Sequence, residues 1–108
     1  MDLFEVIISP KALSQINEYV DYIQFTLLNE QAARNVWQDA IDTADKLETT
    51  AGSLSFCRKT SLRKQGYRII NFLHHRYVML YRIEEKTVYV EAVYHQLQDY
   101  ENIFSNEQ

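Results

Sequence analysis

Apolar residues along this chain repeat first at the period of a strand, then at that of helices, then of strands again. Leu3, Phe4, Val6, Ile7 and Ile8 crowd one short run rich in β-branched and aromatic side chains, which predicts a strand over residues 3–8. Ser9-Pro10 follows: a hydroxyl able to cap free N–H groups, then a proline whose fixed φ suits the first helical position. Leu13, Ile16, Val20, Ile23 and Leu27 recur at spacings of three and four. That is the stripe of an amphipathic helix, with Gln15, Glu18, Asp21 and Gln24 left for solvent. Asn29 is placed to end this helix and cap the next, with Glu30 near the positive end of the new helix dipole. Ala33, Val36, Trp37, Ala40, Ala44 and Leu47 make a second stripe, whose alanines predict a closely packed antiparallel hairpin. Each large side chain buried there contributes about 1.5–3 kcal/mol before entropy is subtracted.

Thr49–Ser55 breaks the helical pattern, with Gly52 as the expected turn residue. Residues 56–66 read as a loop leading into a strand. Tyr67–Leu73, Tyr77–Ile83 and Thr87–His95 predict three consecutive strands joined by turns at His74–Arg76 and Glu84–Lys86. The Tyr77–Ile83 run is almost continuously apolar, as a central strand covered on both faces should be. Glu91 implies that part of one face of the last strand is wet. Leu97–Phe104 predicts a short terminal helix with Tyr100, Ile103 and Phe104 docking back, and Ser105–Gln108 an end that frays. The expected fold class is α+β, in the order β-α-α-β-β-β. An N-terminal strand precedes an antiparallel helical hairpin packed on a mainly antiparallel sheet, and a short C-terminal helix closes the chain.

At 108 residues with 46% hydrophobic content, residues 1–108 are expected to form a single domain whose core needs no staples. The single cysteine, Cys57, excludes an internal disulfide and a cysteine-only metal site, and it fits a reducing cytoplasm. Arg58 and Lys59 beside it would favour a lowered thiol pKa, against the default of a small packed apolar group. No apolar run approaches the ~18 residues needed to cross a bilayer, and the acidic start lacks the pattern of a secretory signal. The expected location is cytoplasmic, with no membrane partner.

Charge alters this picture. The net charge is −4, yet residues 49–82 carry seven basic side chains and no acidic one. These are Arg58, Lys59, Arg63, Lys64, Arg68, Arg76 and Arg82. A nucleic-acid binder usually carries a broad basic stripe, which a sequence pI near 5.3 does not supply. A local basic patch suits an acidic protein partner equally well.

The ordered set of elements resembles the RelE/ParE superfamily of bacterial type II toxin–antitoxin toxins. The resemblance rests on Ser9-Pro10-Lys11-Ala12, Tyr22-Ile23, Asn29-Glu30-Gln31-Ala32-Ala33 and Leu47. It continues through Tyr67-Arg68, Tyr77-Val78-Met79-Leu80-Tyr81-Arg82-Ile83, Val93-Tyr94-His95 and Asp99-Tyr100. RelE-like members are ribosome-dependent mRNA ribonucleases, typically with Arg directly after the tyrosine that opens the third strand and basic residues beyond the fourth. Here Val78 holds the first position, and Gln96-Leu97-Gln98 stands where a basic pair is common. Metal-free RNA cleavage needs a base, an acid and cations for the phosphorane charge. For that reading the chain offers Tyr94, Arg68, Arg82 and His95.

The long helical hairpin and the Tyr-Val-x-x-Tyr-Arg strand are more similar to the ParE-like branch, which acts on DNA gyrase without catalytic residues of its own. The resemblance therefore implies an antitoxin partner, a macromolecular target such as gyrase, and no cofactor. The alternatives are a divergent RelE-type ribonuclease acting with ribosome and mRNA, and a degenerate, non-toxic binding member. The expected binding residues are Arg58, Lys59, Arg63, Lys64, Arg68, Arg82, His95 and Tyr100, with the exposed sheet face as part of the surface. With a three-residue turn at His74–Arg76, Leu73 would face Tyr77, and Arg68 would face Arg82 as an anion or carboxylate site. His74-His75 lack the further ligands that a metal needs. Tyr19 and Tyr22 could join Tyr100 in an amphipathic contact surface.

Overall fold

A computed structural model describes residues 3–108. Strand β1 (Glu5–Ile8) leads into α1 (Pro10–Asp21), a π-helical turn (Tyr22–Thr26) and α2 (Glu30–Thr50). A short 3₁₀ turn (Ala51–Ser53) and α3 (Thr60–Lys64) precede β2 (Arg68–Asn71), β3 (Tyr77–Glu84) and β4 (Thr87–His95), and α4 (Tyr100–Asn106) ends the chain. The four strands form one mixed sheet in the order β1-β4-β3-β2. β1 runs parallel to β4 and the other pairs are antiparallel.

Both helix starts follow from their caps. Ser9 Oγ accepts from Ala12 N–H at 3.1 Å with Pro10 in the first turn, and Asn29 Oδ1 accepts from Ala32 N–H at 3.0 Å. The second stripe packs as its spacing predicts, with Ala33, Val36, Ala40, Ala44 and Leu47 buried. The first stripe holds from Ile16 to Ile23, with Leu13 exposed at its start and Leu27 at its end. In the π turn Leu27 N–H donates to Tyr22 O, five residues back, so the chain falls behind the α-helical period and Leu27 rotates outward to 56% exposure.

The sheet is buried on both sides. Met79, Tyr81, Val88, Val90 and Val93 face the hairpin. Val78, Leu80, Ala92 and Tyr94 face a second cluster with Cys57, Leu62, Tyr67 and Phe104. The expected exposed sheet face is thus corrected over the middle strands: α3, α4 and the segment before them cover it. The basic segment is not simply a loop. Thr60–Lys64 forms a helical turn because Leu62 fills the second cluster, and Gly66 reverses the chain at φ 86, where a side chain would be strained.

The chain end is also tied down rather than loose. Phe104 is buried edge-on to Tyr67, and Gln108 donates to Tyr67 Oη at 3.0 Å.

Candidate functional site

The basic residues of 49–82 fall into separate environments. Arg58 and Lys59 line an open groove of about 730 Å³ beside β2, opposite Asp99, Tyr100 and Glu101 at the start of α4. Lys59 N–H donates to Glu101 Oε1 at 2.7 Å, which fixes the groove's two walls to each other. Arg63 and Lys64 lie exposed in the last turn of α3, where cations favour the negative helix end. Of the expected binding residues, the structure therefore brings together Arg58, Lys59 and Tyr100, and sets Arg63 and Lys64 close by in sequence on a separate turn.

Arg68 and Arg82 are not opposite each other, which corrects the expected register. Phe72 N–H donates to Tyr77 O at 2.8 Å, so the loop is Leu73–Arg76, one residue longer than expected. Arg68 consequently pairs with Tyr81. A one-residue shift exchanges the faces of a strand, and the two guanidiniums end on opposite sides of the sheet. Arg68 lies 3.8 Å over the Phe56 ring and donates to Leu54 O. Arg82 donates from Nε to Glu91 at 2.7 Å and from Nη1 to Glu84 at 3.0 Å, above the Tyr89 ring. The extra residue of a bulge supplies that partner: Leu80 faces Ala92 while Tyr81 faces Val90, leaving Glu91 without an opposite residue. Hydrogen bonds donated to Glu84 and Glu91 outweigh partial burial and raise the Arg82 pKa.

His95 faces Tyr77 at the far end of β3, five residues or roughly 17 Å from Arg82 at strand spacing. Its Nδ1 accepts from Leu97 N–H at 3.1 Å, so a neutral ring carries its proton on Nε2. Arg68, Arg82 and His95 therefore stand apart and do not assemble a single acid–base centre. Tyr94 is buried, which raises its hydroxyl pKa despite the nearby Lys11 charge. Burial likewise pushes the Cys57 thiol up to about 12, with Glu101 adding to it. The expected influence of Arg58 and Lys59 is overridden, and Cys57 is a packed apolar group at 1% exposure.

Sequence reasoning missed Asp39 on the buried face of α2. It is 2% exposed and holds the β2–β3 loop at Leu73, His74 and His75. Its Oδ1 accepts from Leu73 N–H (3.1 Å) and Thr43 Oγ1 (3.3 Å), and its Oδ2 from His74 N–H (3.0 Å). Oδ2 lies 2.6 Å from His75 Nδ1, which must donate because a carboxylate only accepts. The available signal was an acid and a threonine at helical spacing inside an apolar stripe, Val36-x-x-Asp39-x-x-x-Thr43. Among the described residues, no three His, Cys, Asp or Glu side chains are grouped to hold a metal ion. Nor is any described helix long and apolar enough to cross a membrane.

The molecule thus presents a helical hairpin, a doubly covered sheet and cations held in separate environments. Comparison with curated proteins finds no matching sequence. Among solved structures, the chain is similar to one described as the chromosomal ParDE TA system from P. aeruginosa, with a TM-score of 0.72. That match is 14% identical and covers 86% of this chain and 96% of the other, a likeness of fold. The family model for the ParE toxin of the type II toxin–antitoxin system parDE matches residues 6–100, from β1 to the first residue of α4. With nearly every element inside that match, the chain belongs to the ParE toxin family.

Proposed function

We propose that this chain arrests growth by binding an essential cytoplasmic target, DNA gyrase, and that a cognate antitoxin encoded with it holds it inactive. The observation that carries this reading is membership of the ParE family over residues 6–100. The dispersal of Arg68, Arg82 and His95 supports it from the chemical side. Metal-free cleavage needs base, acid and cation around one phosphate, and here Arg82 is committed to Glu84 and Glu91. In this reading Arg58, Lys59, Arg63, Lys64 and Tyr100 form the contact surface on one flank, with Arg68, Arg82 and His95 as outlying contacts.

The test is gyrase supercoiling of relaxed plasmid by purified components. Stoichiometric amounts of this chain should inhibit it, and added antitoxin should restore it. Unchanged supercoiling at a large excess of the chain would remove gyrase as the target.

A further inference from the structure

The tip of the helical hairpin is built at a cost that the described chain does not recover. Tyr22, Phe25, Leu27 and Leu28 are 56%, 67%, 56% and 83% exposed, four large apolar side chains within seven residues. Leu28 sits at φ 54, a left-handed conformation that disfavours a side chain of this kind by about 1–2 kcal/mol. The π turn before it swings Leu27 out of the hairpin stripe. Strain and apolar exposure at one place mark a surface shaped for contact.

Beside this tip lies a groove of about 390 Å³ between the π turn, the start of α2 and the β2–β3 loop. Ile23, Ala32, Val36 and Tyr77 supply its apolar walls, and Leu27 joins it to the exposed tip. Its polar side is formed by Asn29, His75, Arg76 and His95, and no acidic residue lines it. Arg76 is exposed and makes no ion pair among the described residues. His95 has given Nδ1 to Leu97 N–H and keeps an Nε2–H donor, while Asp39 fixes the His75 ring through Nδ1. An apolar trough edged by an uncompensated guanidinium and an imidazole donor complements an apolar side chain with a carboxylate nearby. It does not match a phosphate backbone, which would leave the apolar walls unfilled.

We infer that this groove and the adjoining tip seat an acidic amphipathic segment of the antitoxin. Its apolar side chains cover Phe25, Leu27 and Leu28, one of them fills the groove against Ala32 and Val36, and a carboxylate meets Arg76 and His95. Helix-in-groove docking uses this combination of spaced apolar anchors and a charged rim. The inference rests on the toxin–antitoxin reading and places the partner at a site distinct from the basic flank of α3.

The test has two arms. In the first, N-acetyl-leucine, which carries one branched apolar chain and one carboxylate, is titrated into the ¹⁵N,¹³C-labelled protein and followed by NMR. Shifts should centre on Ala32, Val36 and His95 and weaken at least threefold with N-acetyl-leucine amide or in Arg76→Ala. Dispersed shifts, equal binding of the amide, or tighter occupation of the groove by uridine 3′-monophosphate would overturn the inference, the last in favour of RNA. In the second arm, antitoxin affinity is measured for Ala32→Trp, which fills the groove, and for Arg76→Glu, at an exposed position where substitutions usually leave the fold intact. Both should bind at least tenfold more weakly than wild type, and unchanged affinity in Arg76→Glu and a folded Ala32→Trp overturns the proposal. If wild type itself binds no antitoxin, the toxin–antitoxin reading fails, the occupant named here falls with it, and the first arm still decides whether the groove is a carboxylate-selective site.

Discussion

Replacing Asp39 with Ala removes the carboxylate that, together with Thr43 Oγ1, fixes the β2–β3 loop to α2. Four donors lose it: Leu73 N–H, His74 N–H, Thr43 Oγ1 and His75 Nδ1. A hydrogen bond to a charged group contributes about 1.5–3 kcal/mol, but the four losses do not add. Leu73 N–H keeps Thr43 Oγ1 at 3.2 Å, and the exposed His74 and half-buried His75 can turn to water. Only the Thr43 hydroxyl loses its bond outright, and with weakened bonds at the other three donors the cost is about 3–5 kcal/mol, similar to that of breaking a buried pair. Against a total of about 5–15 kcal/mol, that leaves the protein marginal. At about 4 °C per kcal/mol for a chain of this size, Tm should fall by about 12–20 °C. Urea unfolding should show a lower midpoint at unchanged slope, because the exposed area is the same. His75→Ala, which removes one part-exposed donor, should cost only about 1–2 kcal/mol. If Asp39→Ala unfolds within about 1 kcal/mol of wild type, the carboxylate does not hold the loop and the reasoning fails.

Replacing Arg58, Lys59, Arg63 and Lys64 together with Ala should leave the fold intact, at under about 0.5 kcal/mol for each surface change, since the Lys59 bond to Glu101 uses the backbone. Target or antitoxin binding should weaken, and unchanged toxicity with unchanged antitoxin affinity would retire this flank as a contact surface. Stability should also decline at alkaline pH. The Cys57 thiol, at 9.0 when unfolded, is held protonated to about 12 by burial, so from pH 9 upward the unfolded chain releases a proton that the folded chain keeps. Its contribution is complete below pH 9 and is lost at about 1.4 kcal/mol per pH unit above it. Urea midpoints of Cys57→Ala between pH 9 and 11 should fall less steeply than wild type, and parallel curves would contradict the assignment.

Local chemistry made much of the fold legible in the sequence. Ser9-Pro10 and Asn29 mark both long helix starts because a cap is decided by adjacent residues. The fourth strand, Thr87–His95, was read with both ends in place, and the third missed only Glu84. What failed depends on contacts between distant segments. Phe72 and Leu73 are both apolar, so the pattern could not decide which of them closes the β2–β3 ladder, and the Arg68–Arg82 pairing failed with it. The Glu91 bulge, the π turn and α3, a five-residue helix with the single buried anchor Leu62, leave almost no periodic trace. Candidate site residues were legible as charges but not as partners. Nothing in the basic run shows that Arg82 is bound to Glu91, or that Asp39 holds a loop more than thirty residues away.

The central claim is that this ParE-family chain acts by binding and does not cut RNA. Primer extension on mRNA from an actively translating extract, sampled after adding the purified protein, tests it most directly. The account predicts full-length transcripts at protein concentrations that inhibit gyrase supercoiling. Codon-specific cuts that disappear in His95→Ala or Arg68→Ala would contradict it.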